Sequence, residues 1–339
     1  MTTVDCWRHA PSLDTLHTVN LIHQGRSAVR RVGSVVRHPR ASLRRALARY
    51  GGLPHSVGTI DSPTPETARR VRRLWLRNAF SRAPIVDARA AEVVTMTSYG
   101  PRLGDAWVAL ESIGDGTALP RRIMLWLDAP LDRTPWRLRR LQRRGLEILH
   151  TEPGLGVHTK YWPYLTTAAL EGPLVTSDDD VLYPAHWLAA LRAAHSQEPE
   201  LVLAHRTKTI LMSGPDDFAP YIEWPVTTET LPSYAIFATS VSGQLLPAAL
   251  QQAIRDDGPG FLDAAPAADD VWIHSAAVRH GYRTRQLTAV AEHWPFVPGS
   301  QKVALNYSNV FGGENDPQLR NSHSAATRAR IWEDLTRER

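Results

Sequence analysis

The chain has 339 residues, 43% hydrophobic and 22% charged, a globular composition that excludes collagen-like, low-complexity and wholly disordered readings. Its single cysteine, Cys6, excludes an intrachain disulfide and a cysteine-based zinc site and fits a reducing compartment. Net charge is +5 but unevenly placed: residues 21–90 carry 15 arginines against Asp61, Glu66 and Asp87, a net of +12, whereas residues 91–339 sum to −6.

Residues 1–25 show no clear period, and MTTVDCWRHAPSLDTLHTV lacks the apolar run of a secretory signal. No stretch approaches the roughly 20 apolar residues of a membrane-spanning helix. The expected location is cytoplasmic, with peripheral contact on the inner face of the cell membrane as a variant. Residues 26–50 read as two short basic amphipathic helices broken at Pro39, suited to an anionic lipid surface. A linker rich in turn formers follows. Thr64-Pro65 then supplies an N-cap and first-turn proline for a basic helix, in which Val71, Leu74 and Trp75 form one apolar face. Trp75 and Phe80 favour packing this helix onto the body of the protein.

From about residue 91 the pattern becomes strand, loop, helix, repeated. Strands are expected at Ala91–Thr97, Ile123–Leu127, Leu146–His150 and Leu174–Ser177, with a further strand-like run at Arg285–Ala291. Helices are expected at Leu103–Ile113, Pro135–Arg144 and Thr159–Leu170, the last despite Pro163. Such alternation predicts an α/β fold, a mostly parallel sheet flanked by helices. The domain reading is a basic helical extension at 1–90, a catalytic domain at 91–320 and a helical tail at 321–339.

The sharpest local feature is GPLVTSDDDVLYP, residues 172–184. It delivers Asp178, Asp179 and Asp180 to the carboxyl end of a strand, where open α/β sheets place ligands. Three adjacent carboxylates repel one another and suit a hard cation, Mg²⁺ or Mn²⁺, shared with phosphate oxygens. A solvated acidic turn ahead of a helix is the plain alternative. Asp269-Asp270 opens an apparent helix, where two acids also simply complement the helix dipole. Lys160 stands out because only Lys160, Lys208 and Lys302 among 39 basic residues are lysines. It would contact a diphosphate or an acceptor, or be an ordinary surface lysine.

Together, first-strand TSYGPR, HTKY, SDDD, SGQLLP and ADDVW resemble the GT-A-fold nucleotide-sugar glycosyltransferases, and within them bacterial enzymes of surface-polysaccharide synthesis. The resemblance spans roughly residues 92–320. It implies a metal-dependent, inverting transfer of a sugar from a nucleoside diphosphate, UDP ahead of GDP, to a glycan or lipid-linked glycan. Asp178 and Asp180 would hold Mn²⁺ or Mg²⁺, and Asp179 would face the ribose or sugar. Thr95, Ser98 and Arg102 of the first loop would hold the nucleotide, and Asp128 would reach base or ribose. Thr95 and Ser98 as helix caps, and Arg102 as a partner of Asp105, are the plain alternatives.

The resemblance also implies that Asp270 deprotonates the acceptor, with Asp269 where the family has glutamate. Gly243 would allow close backbone approach to the donor sugar. His293 would complete the metal site, with His280 as the alternative. Tyr221 and Trp224 would stack on an acceptor sugar or pack in the core. Two other functions compete. Metal-dependent nucleotidyl transfer would need a Gly-rich phosphate loop that TSYGPRLG does not supply. Nucleic-acid or anionic-membrane binding through the arginine-rich region leaves the acidic body unexplained, and no nucleic-acid partner is expected.

Overall fold

The computed structural model describes residues 63–303, 309–310 and 312–337. The two basic helices expected over residues 26–50, and the membrane contact read from them, lie outside the described residues. Thr64 caps the first helix, α1 (Pro65–Phe80), its hydroxyl accepting from the Thr67 N–H at 3.1 Å, with Pro65 in the first turn. Leu74 is the apolar residue α1 buries. Trp75 and Phe80, the expected burial pair, are instead 38% and 74% exposed. The helix is held by polar contacts. Arg70 donates to the carbonyls of Leu182 and Tyr183, Arg77 pairs with Glu111, and Asn78 donates to Glu111 at 3.0 Å.

The sheet begins with β1 (Val93–Thr97), followed by α2 (Ala106–Gly114), β2 (Arg122–Leu127), α3 (Trp136–Gln142) and β3 (Leu146–His150). Then come α4 (Trp162–Thr167), β4 (Leu174–Ser177), α5 (Trp187–Gln197) and β5 (Val202–Ala204). Two small antiparallel pairs, β6 (Thr207–Thr209) with β9 (Ile236–Ala238) and β7 (Met212–Gly214) with β8 (Asp217–Phe218), lie outside the main sheet. The chain continues through β10 (Gln244–Leu246), α6 (Ala248–Asp257), α7 (Phe261–Ala264), α8 (Asp269–Arg279) and β11 (Thr284–Gln286). It ends in α9 (Asn315–Ser322) and α10 (Ala325–Thr336).

The seven-stranded sheet runs β11-β5-β10-β4-β1-β2-β3. β1 pairs in parallel with both β2 and β4, β2 with β3 and β5 with β11; β10 alone runs antiparallel to its neighbours. This is the expected α/β class. Strand alternation divides the core. Val93, Met124 and Trp126 face a cluster completed by α8, α9 and α10, whereas Val94, Met96, Ile123 and Leu125 face one completed by α1, α2, α3 and α5. α10 packs on α8, so residues 325–336 belong to the same layer as the helix that carries Asp269 and Asp270.

Chain order reverses between β1 and β4. β2 and β3 extend from one side of β1, and the chain then returns to lay β4 on the other. Such a switch point leaves a crevice at the carboxyl ends of the two strands. Ser98 leaves β1 there, and Asp178 leaves β4. Among the described residues, no helix is long and apolar enough to cross a membrane.

Candidate active site

Both acidic sequences converge at this switch point. The Lys160 ammonium lies 2.6 Å from Asp178 Oδ1 and 2.9 Å from Asp269 Oδ2, so one lysine ties the β4 turn to the start of α8. Lys160 is buried, which removes the surface-lysine reading. Burial alone would depress its pKa, but the two carboxylates outweigh that and hold it above the ordinary lysine range. The Ser240 hydroxyl, at the turn entering β10, donates to the same Asp269 oxygen at 2.9 Å. Asp269 stays below the usual carboxylate range: burial pushes it up, and Lys160 more than reverses the effect.

The first loop is tied to the same place. Ser98 Oγ donates to Asp179 Oδ2 at 2.5 Å, and Arg102 lies 2.5 Å from Asp179 Oδ1 and 2.7 Å from Asp180 Oδ2. Arg102 therefore does not serve Asp105, and Ser98 is no mere cap. Both oxygens of Asp179 are engaged, so it joins the first loop to the β4 turn. Asp180 also accepts from Gln301 Nε2 at 3.0 Å, a contact the sequence did not suggest. Asp178 takes a hydroxyl contact at its backbone, its N–H donating to Tyr183 Oη at 2.7 Å.

Burial raises all three aspartates of the turn, Asp178 to about 6, against the lowering effect of Lys160 and Arg102. Asp270 is pushed up to about 7, first by burial and then by its neighbour Asp269. Its carboxylate accepts from backbone N–H groups, Val271 at 3.0 Å and Ser240, rather than from a cation.

Asp178, Asp179, Asp180 and Asp269 thus share two directly paired cations, Arg102 and Lys160, while Lys208 acts on Asp270 through space. When all four paired acids are ionised, their direct partners among the described residues match half of their charge. Hard oxygen donors with a charge deficit fit a divalent cation of the Mg²⁺ or Mn²⁺ kind. Asp178 and Asp180 are the residues that would hold it.

Several candidates lie elsewhere. Thr95 is in the interior of β1, opposite Met124 and Thr176, fully buried and not in the loop. Gly243 has φ +76°, and a Cβ there would stand 2.5 Å from the Thr176 carbonyl and 3.0 Å from Trp187. The glycine lets β10 close on β4, so its missing side chain serves packing rather than approach to a sugar.

Tyr221 and Trp224 are core residues. Trp224 is 1% exposed, its indole N–H donating to the Ala219 carbonyl, and both rings pack against Phe237. That closes their faces to a sugar. Asp128 directly follows β2, beside the first loop, and is half-buried. His293 is exposed and stands edge-on to Phe296, and His280 pairs with Asp257 at the far end of α8. Among the described residues, the one convergent set of three histidine or carboxylate ligand atoms is His186, His205 and Glu292, beside His293 in sequence but built from other side chains.

No protein-family model matches the chain, and no curated protein matches it. Among solved structures it is similar to S. aureus TarS residues 1–349 in complex with UDP, at 15% identity over 70% of this chain and 68% of that one, TM-score 0.43. It is also similar to CMP:2-keto-3-deoxy-manno-octonic acid synthetase complexed with CTP, at 12% identity over 58% and 89%, TM-score 0.37. A third is 4-diphosphocytidyl-2C-methyl-D-erythritol synthase, at 12% identity over 66% and 99%, TM-score 0.39. At such values no chemistry carries over from them, and the site has to be read from its own residues.

Proposed function

We propose that the protein is a metal-dependent, inverting glycosyltransferase that takes a sugar from a nucleoside diphosphate, UDP favoured, to a hydroxyl of a glycan or lipid-linked glycan. The observation that carries this reading is the Lys160 bridge, which brings Asp178 of the β4 turn and Asp269 at the start of α8 onto one ammonium. A donor-side cation site and an acceptor-side base would need to stand that close to act on one sugar.

Asp178 and Asp180 would hold Mn²⁺ or Mg²⁺, which when bound offsets the charge that develops on the departing diphosphate. Ser98 and Arg102 position Asp179 and Asp180 and line the nucleotide side, with Asp128 beside them. Lys160 keeps Asp269 ionised and fixes the start of α8. Asp270, with no ion pair of its own and a pKa near 7, is poised to take the proton of an acceptor hydroxyl as the sugar transfers. In-line attack from that side inverts the anomeric centre. The protein would work in the cytoplasm, and residues 26–50 would bring it to a membrane-bound acceptor.

The test is calorimetric titration of UDP and GDP, each with and without Mn²⁺, into the full chain and into Asp180→Ala. Manganese-dependent binding of UDP that disappears in the variant is expected. A folded protein that binds neither nucleotide overturns the proposal.

A further inference from the structure

His186, His205 and Glu292 come from three separate segments. His186 precedes α5, His205 follows β5, and Glu292 lies in the strap after β11. Glu292 Oε1 stands 3.0 Å from His205 Nδ1, and Oε2 stands 2.8 Å from His186 Nε2. The His205 ring is 1% exposed and its Nε2 lies 3.0 Å from the Trp187 carbonyl oxygen. A carbonyl only accepts, so Nε2 carries a proton and donates it. With Nε2 committed to that carbonyl, Nδ1 is the nitrogen turned toward Glu292 and His186.

One ligand atom from each of the three side chains lies within 4.8 Å of the other two. Ligand atoms about 2.0–2.1 Å from a tetrahedral zinc stand roughly 3.3 Å apart, so the three are gathered on the scale a single ion needs. The outer contacts also suit a metal site. The far nitrogen of His205 is fixed by a carbonyl, and Glu292 Oε2 accepts from Trp294 Nε1 at 3.1 Å. Two imidazoles and one carboxylate select a borderline transition-metal ion over Mg²⁺, which prefers an all-oxygen set.

We propose that His186, His205 and Glu292 bind Zn²⁺, in a site separate from the aspartate cluster, with a fourth position open to solvent on the exposed His186 side. Its consequence is positional. From Glu292 the strap runs antiparallel to the DDD turn, Leu182 N–H donating to Pro295 O at 2.9 Å and Val297 N–H to Asp180 O at 2.7 Å. The same strap then delivers Gln301 to Asp180. Zinc would clamp α5, β5 and the strap together and so hold Gln301 against Asp180.

The test uses the full chain stripped of metal with a chelator and returned to excess Mg²⁺, which saturates oxygen-rich sites. Zn²⁺ is then titrated in competition with a chromophoric chelator, and Co²⁺ is used to read a visible d–d band. One tight site per chain is expected. His186→Ala, at an exposed position that should leave the fold intact, and Glu292→Gln should each weaken it on the order of 100-fold or more, while Asp180→Asn leaves it unchanged. Circular dichroism confirms that the variants fold. No tight site, or a tight site indifferent to both His186→Ala and Glu292→Gln, overturns the proposal; in the first case the three side chains are a metal-free ion pair. Zinc held by histidines elsewhere in the chain would show as the second.

Discussion

Two groups of buried charge in this molecule are balanced in opposite ways. At Glu111, fully buried on α2, one carboxylate is shared by Arg77 of α1, Arg144 after α3 and the Asn78 amide, the last two at 2.9 and 3.0 Å. At the β1/β4 switch point four carboxylates share Arg102 and Lys160, and Asp270 beside them has no direct ion pair among the described residues. In the first group one carboxylate has two cations and an amide, and the cluster joins helices. The second is short of positive charge, and its carboxylates are pushed upward by burial. A fold retains such a deficit at a cost in stability, as expected where pKa shifts serve binding and proton transfer. The contrast predicts that removing a carboxylate should have opposite signs in the two places.

The largest effect is expected at Glu111. Glu111→Gln keeps the shape but leaves two guanidiniums facing one another around a neutral amide, and breaking a buried pair in this way costs about 3–5 kcal/mol. Urea unfolding should show the midpoint falling by that equivalent, with nucleotide affinity of the folded fraction unchanged. A loss below about 1 kcal/mol would mean that the arginines relax into solvent, and the contrast would fail.

Asp270→Asn should act the other way. The Asp270 pKa is raised in the folded protein to about 7, above its ordinary value of 3.8, so the folded state holds a proton that the unfolded chain releases. That contribution to stability is complete below the unfolded pKa and is lost as pH rises through 7. In metal-free protein the variant should therefore match the wild type near pH 4 and exceed it by on the order of 1–3 kcal/mol at pH 8. The same variant should lose transfer activity by about 10²- to 10⁴-fold. Wild-type activity should rise with pH through about 7 as the base ionises. Equal stability at pH 8 would remove the burial penalty from the argument.

The acidic half of this contrast was visible in the sequence as two aspartate clusters, whereas Glu111 and its partners, 33 and 34 residues apart in the chain, carried no local signal. Strands Leu146–His150 and Leu174–Ser177 fall where the apolar runs put them, because Gly145 and Pro173 end the preceding segments. The helix expected over residues 159–170 shrinks to Trp162–Thr167, since Pro163 fits only the first turn and residues 156–160 form a tighter 3₁₀ turn. The strand expected at residues 285–291 keeps only Thr284–Gln286, after which the chain turns away as the strap.

Within the site, adjacent aspartates announce themselves as charge clusters. Lys160 joining two of them is a contact across 109 residues, which no local period records. Tyr221 and Trp224 show the same limit from the other direction, because an aromatic destined for the core and one destined for a sugar look alike until packing decides. The histidines were also ambiguous in sequence: His205 and His186 lack any short ligand spacing, and only the return of the strap brings Glu292 to them.

The smallest predicted effect sharpens the contrast by separating charge from burial. Arg73 lies on the same helix as Arg77 and reaches Asp115, just beyond α2, at 2.7 Å. Its side chain is 66% exposed, so water competes for both ions and the pair pays conformational entropy for little Coulomb gain. Arg73→Ala should change stability by no more than about 0.5 kcal/mol, and less still at 0.5 M salt, where surface charges are screened. Arg77 also reaches Asp115, at 3.2 Å, so the acid keeps a partner when Arg73 is removed. If Arg73→Ala cost as much as Glu111→Gln, the junction of α1 with α2 would depend on net charge along the helix. A near-zero result locates the effect in the buried carboxylate, where the missing partner cannot be replaced by water.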